Sequence, residues 1–136
     1  MIDFIYGELS YKVIGLMYKI YNAMGAGFQE KYYQSAIRKV FEKEGVPFLE
    51  QVRMDINIAG ANIGRYYIDF VVDHKIAIEI KARSFFAQKD IRQLLGYLKK
   101  SGLEVGLLVG FSSDGLKIKR LLKGRDKKGD TSVQSD

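Results

Sequence analysis

The chain has no cysteine, a single proline and a single histidine among its 136 residues. Without cysteine there is neither a disulfide framework nor a thiolate zinc site, and nothing points to an oxidising compartment. No apolar run approaches the ~20 residues of a membrane span, and the N-terminus lacks a basic-then-apolar secretory pattern. A soluble, cytoplasmic protein with no membrane partner is expected. His74, between Asp73 and Lys75, reads as a turn residue rather than a ligand or base. There is no internal repeat, no glycine-rich phosphate loop and no Ser/His/Asp constellation.

What is present suits one core. Hydrophobic residues make up 47% of the chain, enough for a single domain over 1–122. From residue 123 the composition shifts to Gly, Lys, Asp, Ser and Thr, with Val133 the only large aliphatic, so 123–136 is expected to be a disordered polar tail. The net charge is +6. Its distribution matters more than its sum: between Lys81 and Lys100, Lys81, Arg83, Lys89, Arg92, Lys99 and Lys100 stand against Asp90 alone, which favours a polyanionic partner. A solvated helix face is the ordinary alternative.

The most informative stretch is Tyr66–Lys81. Two β-rich runs flank Asp73-His74-Lys75, and Asp69, Glu79 and Lys81 sit among aliphatic residues that suit a buried sheet. Alternation puts Glu79 and Lys81 on one face and Ile76, Ile78 and Ile80 on the other. A two-residue loop at Asp73-His74 would set Asp69 opposite Ile78. A three-residue loop over Asp73–Lys75 sets it opposite Glu79, and this register is the one expected. Two carboxylates and an ammonium then converge, a hard-oxygen site that suits Mg²⁺ or Mn²⁺. A cross-strand salt bridge on an ordinary hairpin is the alternative.

The rest of the chain supplies the frame. Val13, Ile14, Met17, Ile20, Tyr21 and Met24 step at helical spacing after Ser10, which is placed to cap, and Gly25-Ala26-Gly27 ends that helix. A second helix is expected from about Phe28 to Glu44, stopped by Gly45 and Pro47. Near its start Glu30 either complements the helix dipole or supplies a functional carboxylate. Phe48–Ile58 alternates as a half-buried strand, with Val52, Met54, Ile56 and Ile58 inward, and 60–64 turns the chain back into the hairpin. Ser84–Lys100 is read as a helix on the stripe Ile91, Leu94, Leu95 and Leu98, with Gln93 and Tyr97 on its opposite, polar side. A buried strand follows at Val105–Val109 and an edge strand at Leu116–Leu122. The order is ααβββαββ, a mixed α/β (α+β) fold with a central sheet flanked by helices.

Gly27-Phe28-Gln29-Glu30-Lys31-Tyr32-Tyr33 resembles the Gly-x-x-Glu-x-x-Tyr signature of the GxxExxY family, within the PD-(D/E)xK nuclease superfamily of restriction-endonuclease-like fold. Asp69 followed by Glu79-Ile80-Lys81 is similar to the superfamily's Asp…Glu-x-Lys core, and Gln93-x-x-x-Tyr97 to the Gln-x-x-x-Tyr element of its exonuclease-like branches. The chain departs from these patterns at Ile68, in place of proline, and at Gln29, in place of an apolar residue. The resemblance implies a Mg²⁺- or Mn²⁺-dependent nuclease acting on nucleic acid, with DNA the expected substrate. It implies Asp69, Glu79, the Ile80 carbonyl and Glu30 as metal ligands, with Lys81 completing the catalytic set. Gln93, Tyr97, Tyr33, Arg83, Lys89 and Arg92 would hold the substrate. A non-catalytic nucleic-acid or protein-binding module on the same fold is the competing expectation. A homodimer joined through Tyr6, Tyr11, Tyr18 and Tyr21 is a further one.

Overall fold

The structure, a computed structural model, describes residues 6–124 together with 134 and 135. Strand β2, Ala61–Val72, turns over Asp73–Lys75 into β3, Ile76–Lys81, with Phe70 opposite Ile78 and Val72 opposite Ile76. This is the three-residue register. Asp73 and His74 both take left-handed backbone (φ 51° and 54°), and the Lys75 N–H closes the turn on the Val72 carbonyl at 2.9 Å. Successive left-handed residues give a hairpin turn the twist its strands require.

Strand β1, Phe48–Ile58, pairs antiparallel with β2, completing the expected meander. The first turn is tighter than the glycine-rich sequence suggests. Ala59 and Gly60, both left-handed, make it alone, and residues 61–64 already belong to β2. The expected burial of β1 holds only near its start: Val52 and Met54 pack inward, whereas Ile56 and Ile58 are exposed on a projecting arm.

Helix α3, Gln88–Ser101, crosses from β3 to β4, Val105–Ser112, which lies parallel to β3. Strand β5, Gly115–Leu122, pairs antiparallel with β4, so the sheet is mixed. The strand order β1-β2-β3-β4-β5-β6 ends on a two-residue strand, β6, Gln134–Ser135, paired with β5. That short strand lies within the span expected to be a disordered tail, the remainder of which beyond Gly124 falls outside the described residues.

Helices α1, Gly7–Met24, and α2, Glu30–Glu44, cover one face of the sheet. There Val13, Met17, Ile37 and Phe41 pack in one cluster with Phe70 of β2, Ile78 and Ile80 of β3, and Val105, Leu107 and Val109 of β4. Helix α3 covers the other face, where Leu94, Leu95 and Leu98 meet Ile68, Val71, Ala77 and Leu108. Ser10 is no cap: α1 begins at Gly7 and buries Ser10 one turn inside. Helix α3 starts later than Ser84 because the chain from Ala82 to Ala87 is held outside it, and the Asp90 carboxylate accepts the Ala87 N–H at 2.9 Å. Among the described residues no helix is long and apolar enough to cross a membrane.

Candidate active site

The site forms where the β2–β3 ladder gives way. Beyond Phe70 and Ile78 the backbone pairing stops, and side chains take over. The Asp69 N–H donates to Glu79 Oε1, and the Ile80 N–H donates to Asp69 Oδ2, both at 2.8 Å. Asp69 and Glu79 are thus locked together by each other's strand. The N–H and C=O of one strand residue project to the same side, so the Ile80 carbonyl also faces Asp69.

An irregularity on the neighbouring strand aims Asp69. Ile68 packs under α3, yet Phe70, two residues on, packs under α1 and α2; a regular strand keeps such residues on one face. Opposite this switch, Gln51 has left-handed backbone (φ 55°), and its amide donates to Asp69 Oδ1 at 3.2 Å. From α2, Gln34 reaches the Asp69 carbonyl at 3.4 Å and Glu50 at 2.9 Å, while Arg38 grips Glu50 at 2.7 and 3.1 Å. That guanidinium, with the Gln34 amide, holds the Glu50 carboxyl below its ordinary range.

Glu79 is 7% exposed. Burial first, and the neighbouring Asp69 charge second, push its carboxyl up to about 8. Burial likewise pushes Asp69 up, against the lowering effect of the Ile80 N–H and the Gln51 amide. The Lys81 charge draws both carboxyls down and the Glu30 charge pushes both up, so both side chains lie within electrostatic reach of the pair. Lys81 Nζ is also 3.8 Å from Asp90 Oδ1.

The expected residues divide into three groups. Asp69, Glu79, Ile80 and Lys81 come together on β2 and β3, with Glu30 exposed at their edge on the first turn of α2. Lys89, Arg92 and Gln93 lie along α3, where with Tyr66, Lys99 and Lys100 they line a groove of about 630 Å³ against the β1–β2 arm. Arg83 is bound to Asp90 at 2.5 Å and stacks on Phe85.

The two tyrosines differ from expectation. Tyr33 has no exposed surface: its hydroxyl donates to the Gly25 carbonyl at 2.6 Å and its ring stacks on Phe111. It fixes the α1–α2 bend from inside and offers no surface to a substrate. Tyr97 is 8% exposed and packs with the leucines, because position 97 lies three residues from Leu94 and so flanks the core stripe rather than opposing it.

Sequence reasoning missed Asp90, Gln51 and Tyr66. Asp90 is buried and serves Arg83, Lys81 and the start of α3 together. Tyr66 donates to the Gln93 carbonyl at 2.7 Å, and burial with the nearby Glu79 charge pushes its hydroxyl up to about 12. An acid at the third helical position signals such a cap; Gln51 and Tyr66 carry no comparable local signal.

A model of the PD-(D/E)XK nuclease superfamily matches residues 7–121. The chain belongs to that superfamily. Its members are generally nucleases, typically Mg²⁺- or Mn²⁺-dependent, and the mixed sheet flanked by helices is consistent with their restriction-endonuclease-like fold. No curated protein matches the chain. Among solved structures, that of SSO0001 shares the fold, with a TM-score of 0.53 and 23% identity over 68% of this chain. The match covers 50% of the SSO0001 chain.

The donors of this site fit a hard divalent cation. Two carboxylates forced together in a buried position resist ionising side by side, and a cation between them relieves that cost. Among the described residues no three His, Cys, Asp or Glu side chains are grouped closely enough to hold a metal ion. The pair, the Ile80 carbonyl and water would make up its shell, with Glu30 at the periphery.

Proposed function

We propose that the chain is a cytoplasmic nuclease of the GxxExxY branch, hydrolysing phosphodiester bonds in DNA with Mg²⁺ or Mn²⁺. Asp69, Glu79 and the Ile80 carbonyl would hold the cation, with Glu30 contributing directly or through water. When bound, it would acidify a water molecule and offset phosphate charge. The observation that carries this reading is the exchange of ladder hydrogen bonds for carboxylate ones at Asp69 and Glu79. Forgoing backbone pairing to fix two acids side by side has no evident structural benefit.

Each protein group has a task in this reading. Gln51 and the Ile80 N–H orient the Asp69 carboxylate, and the Asp69 N–H orients Glu79. Lys81, beside the pair and restrained by Asp90, either orients and deprotonates the attacking water or counters charge gathering on the phosphate. Lys89 and Arg92 hold flanking phosphates along α3, and Gln93 lies on the same groove. Binding therefore weakens as salt rises.

The test is cleavage of single-stranded, duplex and branched DNA with Mg²⁺ or Mn²⁺ by the wild type, Asp69→Ala and Lys81→Ala. Loss of at least about 100-fold in rate in each variant is expected, in line with removal of one electrostatic or acid–base group. Cleavage that survives both substitutions would overturn the site. One observation favours a second reading, a non-catalytic binding module: the acids stand as a pair without a third grouped ligand among the described residues. That module would bind nucleic acid without turnover, and Asp69→Ala would leave its affinity unchanged. Exposed Tyr11 and Tyr18 on α1 also support the homodimer, which sedimentation would test; Tyr21 instead donates within the chain, to the Ser112 carbonyl.

A further inference from the structure

We infer that the site takes a strand whose bases are unpaired, and that one base enters a pocket walled by Phe28 and by the segment that follows Lys81. This rests on the nuclease reading and narrows its substrate class. The pocket, about 610 Å³, opens between the α1–α2 bend and the ends of the parallel strands β3 and β4. Gly27, Phe28, Arg83, Ser84, Phe111 and Ser112 are among its lining residues. A volume of that order accommodates a small planar ligand with its polar attachments.

Three features give the pocket its chemistry. Phe28 is 44% exposed although it belongs to a cluster of rings, with Tyr33 at 5.9 Å and Tyr32 at 6.3 Å, both edge-on. Such an arrangement holds one ring rigid while leaving surface for a stacking partner. On the other wall stands Arg83, whose guanidinium is 5.0 Å from the ring of Phe85, a 61% exposed residue outside the pocket lining. Arg83 Nη2 is taken by Asp90, and the Arg83 side chain, 28% exposed, keeps surface on the pocket wall. A guanidinium anchored by one carboxylate and still partly exposed is suited to receive a phosphate oxygen.

The pocket is connected to the site through shared groups. Asp90 joins Arg83 to Lys81, and Phe28 stands two residues before Glu30. A nucleotide with its phosphate at Arg83 would thus present the adjoining backbone toward Lys81 and the acids. A base can stack on exposed aromatics only when it has left its helix, and such stacking tolerates any base. Bases within an intact duplex are unavailable to Phe28, so the pocket selects single strands, flaps or frayed ends.

The test measures affinity in EDTA, which separates binding from cleavage, for a single-stranded oligodeoxynucleotide, its duplex and the same single strand carrying abasic positions. Phe28→Ala is expected to weaken single-strand binding about 5- to 100-fold and leave duplex binding unchanged. Phe28→Tyr restores it, and the abasic strand binds wild type and Phe28→Ala alike. Equal loss on single strand and duplex, or no loss in the alanine variant, overturns the pocket while leaving the nuclease reading intact. Conversely, selective single-strand loss in a protein that cleaves no DNA with Mg²⁺ or Mn²⁺ would uphold the pocket and refute the nuclease.

Discussion

Gly110 shows how little room the support of the site leaves. It sits on β4 opposite Lys81 of β3, and a Cβ built there would lie 2.6 Å from the Arg83 carbonyl oxygen and 3.4 Å from the Phe86 ring. Since the nearest atom is backbone, it cannot swing aside. The segment after Lys81 can cross β4 at this height only over a glycine, and that crossing delivers Arg83 to Asp90. We expect Gly110→Ala to destabilise the protein by about 1–3 kcal/mol in denaturant unfolding and to lower cleavage more than its stability loss explains, because Arg83 and Lys81 share Asp90. An alanine variant as stable and active as wild type would refute this account of the crossing. Gly106 is close-packed in another way: a Cβ there would lie 2.9 Å from Cγ and Cδ2 of Leu94, a fully buried side chain with no open space to swing into.

Among the elements, the β2–β3 hairpin was the most legible in the sequence. Period-two alternation put Glu79 and Lys81 on one face, and loop length decides which residue faces Glu79; both signals are local, though the sequence allowed a two-residue as well as a three-residue loop. The loop itself is not optimal, because Asp73 and His74 adopt left-handed backbone that Asn-Gly accepts more readily. Replacing them by Asn-Gly relieves left-handed strain of roughly 1–2 kcal/mol per residue, offset in part by the added flexibility of glycine in the unfolded chain, so a net gain in stability is expected, with cleavage unchanged since the loop lies at the other end of β3 from Lys81. A fall in the unfolding midpoint would contradict that. Other elements resisted reading for identifiable reasons. The face switch between Ile68 and Phe70 depends on the conformation of Gln51 on another strand, and no periodicity within β2 announces it. Tyr33 and Tyr97 carry polar atoms that suggest surface, yet the Gly25 carbonyl satisfies the first, and the second is carried inward by its place beside Leu94 and Leu98. Tyr66 reaches Gln93 across 27 positions of sequence, a contact only the fold creates.

At the scale of the whole molecule, stability and function oppose one another through Glu79. Its carboxyl moves from an ordinary 4.5 to about 8 on folding, and Asp69 moves in the same direction. Between those values the folded chain binds more protons than the unfolded one, so the contribution of these acids to stability without metal is greatest in acid and declines as pH rises through about 5 to 8. The loss at the alkaline end is on the order of a few kcal/mol, a large part of what a domain of this size possesses. A divalent cation that binds only the folded state recovers it, by about 2.7 kcal/mol at a concentration 100 times its Kd, and competes best where the carboxyls are least protonated. Thermal unfolding in EDTA should therefore show Tm falling from pH 5 to pH 8, and added Mg²⁺ or Mn²⁺ should raise Tm more at pH 8 than at pH 5. Glu79→Gln should flatten the first profile, stabilise the metal-free protein in alkali and abolish both the metal response and cleavage. A Tm that is indifferent to pH in EDTA, or a Glu79→Gln variant that still gains stability from Mg²⁺, would mean that the acids are not the cation's seat.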